Sequence, residues 1–284
     1  MKNSRILPIV FCGTLWCCGH FAAAQTTLKG RVSNAENREP LGYVSIGIPG
    51  TSAGTVAAPD GSFELDVPAT RTSDSVVFSF LGFARRVVAV ADLSAQSGAD
   101  VALQPAAFAL REVVIGPDAG KTEVLGEDKI STRMAVNFAI NDRMNQNLGS
   151  EVGRRFKIKK PSVLENFRFF VASNGFDTVR FRINVYELRS GKPGDNLLKD
   201  NIFVTLTGRQ RGWVDVDLRP YDVRVDESVV VAVEWVFAAG KGRSLSLPIA
   251  MPRPGSKHFY KYGSQARWKG FASMSAAMLL QIRQ

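Results

Sequence analysis

Residues 179–185 alternate strictly: Val179, Phe181, Ile183 and Val185 fall on one side of an extended chain, and Arg180, Arg182 and Asn184 fall on the other. A period of two belongs to a strand and not to a helix. Runs of the same kind recur along most of the chain. VVFSF at 76–80, RRVVAV at 85–90 and VVVAVEWV at 229–236 are rich in β-branched and aromatic residues and are bounded by Gly, Pro, Asp or Asn. A spacing of about 8–12 residues between such runs predicts sandwiches rather than alternating β and α units. Only 134–148 offers a helical candidate, and its Asn and Asp residues weaken it. The expected fold class is all-β.

The first 24 residues carry Cys12, Cys17 and Cys18, which are all the cysteines, together with His20, one of two histidines. Lys2 and Arg5 precede an apolar centre, and Ala22, Ala23 and Ala24 precede Gln25, so the segment has the layout of a cleaved export signal. Lipidation of Cys12 or Cys18 is disfavoured, because Phe11 and Cys17 stand before them where a small residue is expected. Removal of residues 1–24 leaves no cysteine and only His258. Disulfide staples, thiol catalysis, Cys-ligated zinc and multi-histidine metal sites are then excluded. No other run is long and apolar enough for a membrane helix. The expected location is the periplasm, the outer-membrane surface or the exterior.

Charge divides the remainder. From 25 to 118 there are 7 basic against 10 acidic residues, and from 119 to 284 there are 27 against 16. The turn-rich Gly116-Pro117-Asp118-Ala119-Gly120 lies between them. Two domains are expected, 25–116 and 117–284, with a linker at about 116–120. The basic second half points to an anionic partner.

In the first unit, LKGRV at 28–32 opens a strand, and EPLGYVSI at 39–46 gives a turn and a second strand. GTVAAPDGSFEL at 54–65 predicts a hairpin with Asp60-Gly61 at its tip, since that pair tolerates the positive φ of a tight turn. FSFLGF at 78–83 predicts a buried strand closed by a glycine turn, and LREVVI at 110–115 a last strand. Gly54, Asp60, Gly61 and Gly82 are read as turn formers, and Tyr43, Phe63, Phe78 and Phe80 as core. This ordered set resembles the carboxypeptidase regulatory-like domain, found at the start of exported proteins of Bacteroidota. The resemblance implies a seven-stranded transthyretin-like sandwich and an envelope setting, but no reaction. A related domain precedes the barrel of many TonB-dependent receptors, and the residues beyond 116 are too few for such a barrel.

Six strand candidates follow, at 156–158, 164–171, 181–186, 202–206, 212–218 and 228–236. Together with the domain order, they resemble the jelly-roll-like sandwiches that accompany the regulatory-like domain, which implies a binding or structural module. Asp215 and Asp217 share a strand face, and Glu234 stands beside Trp235. A glycosidase would need two carboxyls across a cleft, whereas polar positions on a strand are usually its wet face. Calcium ligation by Asp215 and Asp217 lacks the dense acidic loop such a site requires. His258 near Ser256 lacks a nucleophile-elbow pattern and is expected at the surface.

The most suggestive stretch is 253–271. Arg253, Lys257, Lys261, Arg267 and Lys269 interleave with Phe259, Tyr260, Tyr262, Trp268 and Phe271, with no acidic residue between. Aromatic faces stack on sugar rings while Lys and Arg meet carboxylate, phosphate or sulfate. Arg253, Lys257, Tyr260, Lys261, Tyr262, Arg267, Trp268 and Lys269 are therefore candidate ligand residues for an anionic glycan or lipopolysaccharide. The competing reading makes alternate aromatics core and the charges their wet face. Export disfavours nucleic acid as a partner. The expected function is a non-catalytic envelope binding or scaffold module that needs no cofactor and takes a glycan, peptide or envelope protein. The alternatives are a structural part of a surface assembly and a carboxylate-dependent glycan hydrolase.

Overall fold

The computed structural model describes residues 25–96, 98–106 and 120–284. The expected leader 1–24, the last strand at 110–115 and most of the linker lie outside the described residues. Within them the chain is all-β apart from the five-residue helix Val90–Ser94 and three short 3-10 turns.

Seven strands make the N-terminal sandwich. Gln25–Asn34 lies between antiparallel Ser62–Pro68 and parallel Ala99–Leu103, and the second sheet runs Gly54–Val56, Ser45–Gly47, Ser75–Ser79, Arg86–Ala89. Leu28, Val32, Ile46, Leu65, Phe78 and Leu103 fill the space between them. The expected hairpin at 54–65 is corrected. The turn at Asp60-Gly61 forms, but Gly54–Val56 pairs with Ser45–Gly47, while Ser62–Pro68 pairs with Gln25–Asn34. Residues 57–61 therefore carry the chain from one sheet to the other. Gly61 has φ +79, and a methyl group there would meet the carbonyl oxygen of Val32. Asp60 closes the corner by accepting from the Ser62 amide at 3.0 Å.

The C-terminal half is a larger sandwich. Its main sheet orders Lys192–Asn196, Thr178–Arg189, Val229–Ala239, Glu151–Phe156, Lys257–Lys261 and Lys269–Ala272, with Ile202–Thr207 also paired to Thr178–Arg189. A second sheet runs Gly212–Asp217, Ser162–Val171, Met278–Arg283, Thr122–Gly126. Val179, Phe181, Ile183 and Val185 all enter the core between the layers, as their alternation requires. Phe181 meets Phe169 edge-on with ring centroids 5.4 Å apart, and Phe138 at 5.7 Å.

The helical candidate at 134–148 is also corrected. Met134–Asn137 is a strand on Leu245–Ala250, and only Met144–Gln146 makes a 3-10 turn. Asn147 explains why no helix forms. Its Oδ1 accepts from the amides of Ile140 and Asn141, and its Nδ2 donates to the carbonyls of Asn141 and Arg143. Side-chain bonds of this kind compete with the helical ladder.

Gly61→Ala should destabilise the full chain by about 1–3 kcal/mol, the scale of a strained backbone site. Urea unfolding of the variant against the parent measures it.

Candidate functional site

One face of the main C-terminal sheet buries charge. Lys261, Glu151, Glu234 and Arg182 are register partners on four adjacent strands, so they form a row across the sheet. Lys261 Nζ lies 2.6 Å from Glu151 Oε2, and Arg182 lies 2.8 Å from Glu234 Oε2. The two carboxylates meet in the middle, where Asn184 Nδ2 donates to both, at 2.8 Å and 3.0 Å. The Tyr186 hydroxyl donates to Glu151 at 2.9 Å. All four charged side chains are largely buried.

The N-terminal sandwich covers this row. Arg182 donates to Ser45 Oγ at 2.5 Å and to the Tyr43 carbonyl at 3.0 Å, while Ser45 Oγ donates to Glu234 at 3.3 Å. Tyr43 itself stacks beside Phe203 at 5.0 Å and under Arg180 at 5.0 Å. Tyr43 is thus a seam residue and not the core residue expected. Ser264 Oγ donates to the Thr55 carbonyl at 2.8 Å, and Gln265 Nε2 to Ser79 Oγ at 2.8 Å. Asp66, also buried, accepts from Arg143 at 3.0 Å, Gln146 at 3.1 Å and Asn145 at 3.4 Å.

Burial and charge pull these acids in different directions. Desolvation raises Glu151, and the neighbouring Glu234 adds to the rise against the pull of Lys261. Desolvation would raise Glu234 too, but Arg182 and Lys261 outweigh it and hold the carboxyl below its ordinary value. Asp66 is likewise lowered, because hydrogen bonds from Thr27, Gln146, Arg143 and Asn145 outweigh its burial. The row therefore sits as two cations around two acids, in a setting where an unmatched charge is costly.

The interleaved stretch 253–271 divides between this seam and a cleft beside it. Tyr260 is a core residue only 2% exposed, and its hydroxyl donates to the Asn137 carbonyl, so it is not available to a ligand. Lys261 is committed to Glu151. Trp268 anchors the loop edge-on against Tyr186 at 5.6 Å and Phe259 at 6.4 Å, with Lys261 Nζ 5.0 Å from its ring. Arg253 pairs with Glu127, and Lys257 donates to the Gly191 carbonyl at 2.8 Å. Tyr262, Arg267 and Lys269 do come together. They line a cleft of about 660 Å³ together with the loop Gly50 to Gly54, Pro68, Asn141, Asn145 and Gln146. Lys269 Nζ stands 4.9 Å from the Tyr262 ring. The Arg267 guanidinium packs against Gly50, φ +75, where any side chain would displace it.

The other candidates sit elsewhere. Asp215 pairs with Arg168 at 2.6 Å and Asp217 with Arg219 at 2.8 Å, both on an exposed face. His258, expected at the surface, is instead 4% exposed, and desolvation pushes its pKa down to about 4. It faces inward on the same side as Tyr260, two residues on, because successive residues of a strand alternate faces. The seam residues Glu151, Arg182 and Asn184 were not legible as partners of one another. A signal was present in 229–236, where apolar residues occupy both faces of the strand: such a strand is covered on both sides, and a Glu within it must be paired.

Residues 28–115 match the family described as CarboxypepD_reg-like domain. The chain carries a CarboxypepD_reg-like domain. "TonB-dependent receptor P3" of Formosa agariphila is 28% identical over 115 residues, which is 40% of this chain and 11% of the receptor. This chain thus spans a small part of that relative's length. Among solved structures, the clostridial cysteine protease Cwp84 after propeptide cleavage overlays with TM-score 0.40 and 9% identity, over 91% of this chain and 70% of that one. Infectious bursal disease virus, Gx strain, overlays with TM-score 0.25 and 9% identity, over 91% and 64%. The matched domain contributes Tyr43, Ser45 and Thr55 to the seam and the loop Gly50 to Gly54 to the cleft.

Arg182→Ala should cost about 3–5 kcal/mol, because Glu234 would then be buried without its partner. Replacing both Arg182 and Glu234 by Met should recover most of that loss, and urea unfolding of both variants measures it. Asp66 adds a pH dependence. A lowered carboxyl stabilises the fold above its unfolded value, near 3.9, and the contribution fades as pH falls through the folded value. The stability difference between the parent and Asp66→Asn should therefore shrink below about pH 4.

Proposed function

We propose that this chain is a non-catalytic binding module of the cell envelope, in which the cleft between the CarboxypepD_reg-like domain and the C-terminal sandwich takes an anionic glycan. One observation carries the reading: Arg267 and Lys269 face a common cleft with Tyr262, and neither has a carboxylate partner among the described residues. Asp66 also borders the cleft, but its oxygens are occupied by Thr27, Arg143, Asn145 and Gln146. The arrangement suits a sugar bearing carboxylate or sulfate. Arg267 would hold the anionic group by paired hydrogen bonds, the exposed part of Tyr262 would meet the ring, and the amides of Asn141, Asn145 and Gln146 would read hydroxyls.

The envelope setting draws on the export-like leader and on the TonB-dependent receptor that shares the domain. The non-catalytic reading draws on the placement of the acids. Asp215 and Asp217 are ion-paired on an open face, and Glu234 is buried under the seam and held by Arg182.

The test is binding of the full chain to uronate-containing and sulfated oligosaccharides, lipopolysaccharide and a neutral glycan, at low and physiological salt. Binding of an acidic glycan that survives physiological salt and weakens at least about tenfold in Arg267→Ala and Lys269→Ala is expected, about one charge-assisted contact each. Equal binding of neutral glycan, or binding indifferent to both substitutions, would remove the proposal. Release of new reducing ends would replace it with hydrolysis.

A further inference from the structure

The N-terminal sandwich carries a second surface, at the edge of its four-stranded sheet opposite strand Gly54–Val56. We propose that the outer edge of strand Arg86–Ala89 is a docking strand for an extended, acidic segment of a partner protein.

Among the described residues, Arg86–Ala89 is the outermost strand of its sheet and pairs with Ser75–Ser79, while the bridge of Phe83 to Pro105 lies before it. Just beyond it the Val90 amide donates to the Asp74 carbonyl, which marks 90 and 74 as a bonded pair. Alternation along an antiparallel ladder then turns Arg86 and Val88 inward and leaves the N–H and C=O of Val87 and Ala89 pointing away from the sheet. A row of this kind is a template for one more strand.

Side-chain chemistry beside the edge selects the occupant. Val87 is 58% exposed although it stands in a strand. It borders a groove of about 480 Å³ lined also by Ile48, Pro49, Val77, Arg71 and Arg85. A strand added here sets alternate side chains beside Val87 and over that groove. Apolar residues would fill it at one spacing. The remaining charge is positive: Arg71 is matched by Asp74 at 3.3 Å, Arg86 donates to the Ala102 carbonyl at 2.7 Å, and Arg85 has no partner among the described residues. Two unneutralised arginines favour an acidic segment and disfavour a second copy of the same edge. The groove shares no lining residue with the glycan cleft, so either site can stand without the other.

The probe is a labelled synthetic peptide alternating Val and Glu, titrated against the full chain by fluorescence anisotropy. Three controls accompany it: a Val/Lys peptide, the Val/Glu peptide N-methylated at alternate residues, and the chain variants Val87→Pro and Arg85→Glu. Val87→Pro removes only an outward N–H. Saturable binding is expected, weakened about tenfold or more by Val87→Pro, by Arg85→Glu and by N-methylation, a loss that one or two hydrogen bonds would give. If Val87→Pro does not fold, the N-methylated peptide against the parent chain decides. Absence of saturable binding, equal binding of the Val/Lys peptide, or indifference to N-methylation would overturn the proposal. So would dimerisation of the chain alone that Arg85→Glu abolishes, since the occupant would then be a second copy.

Discussion

Everything distinctive in this molecule depends on four charges buried in a line. Lys261, Glu151, Glu234 and Arg182 lie side by side across one sheet; the CarboxypepD_reg-like domain closes the Arg182–Glu234 end through Tyr43 and Ser45, and Tyr186 and Trp268 cover the other. Charges taken out of water are tolerated when each has a partner and its remaining hydrogen-bonding capacity is met. Here Asn184 and Tyr186 serve the middle of the row, and Ser45 and the Tyr43 carbonyl serve its end. The domain that excludes the water therefore also supplies part of the solvation. Such an interface specifies one docked geometry more strictly than an apolar one would, because a small shift leaves a charge unmatched.

That geometry creates the cleft. Its walls come from the loop Gly50 to Gly54 on one side and from Tyr262, Arg267 and Lys269 on the other, so it exists only while the two parts are docked. Trp268 links the two ideas. Its ring is wedged against Tyr186 and Phe259 over the buried row, and it holds the loop whose next residues present Arg267 and Lys269. A cleft between two docked units is a common place for a ligand, since both surfaces are rigid and the space between them is shaped. The edge at Arg86–Ala89 lies outside this cleft, so the proposed glycan and protein contacts use separate residues.

Much of the fold was legible in sequence because strand periodicity is local. The alternation at 179–185 placed four core residues correctly, and the motifs from LKGRV to FSFLGF named the first domain. The other face was not legible in the same way. Arg180, Arg182 and Asn184 share that face, and alternation alone does not show that the distant Tyr43 and Ser45 bind Arg180 and Arg182. Docking of one domain on another joins residues more than a hundred positions apart, and no local pattern encodes that. Asp60-Gly61 shows a smaller version of the limit, since the turn was evident but not which sheet each arm would join. Of the basic aromatic stretch, Tyr262, Arg267 and Lys269 proved to share a cleft, while Tyr260, Lys261 and Trp268 serve the core and the seam.

The buried row should make the two parts one cooperative unit. Native-state hydrogen exchange of the full chain, read by mass spectrometry across a urea series, tests it most directly. Amides of Gln25–Asn34 in the first domain and of Val229–Ala239 in the second should lose protection together, at one urea concentration. Loss of protection in Gln25–Asn34 at clearly lower urea, with Val229–Ala239 still protected, would show that the first domain opens alone and that the row does not couple the two parts.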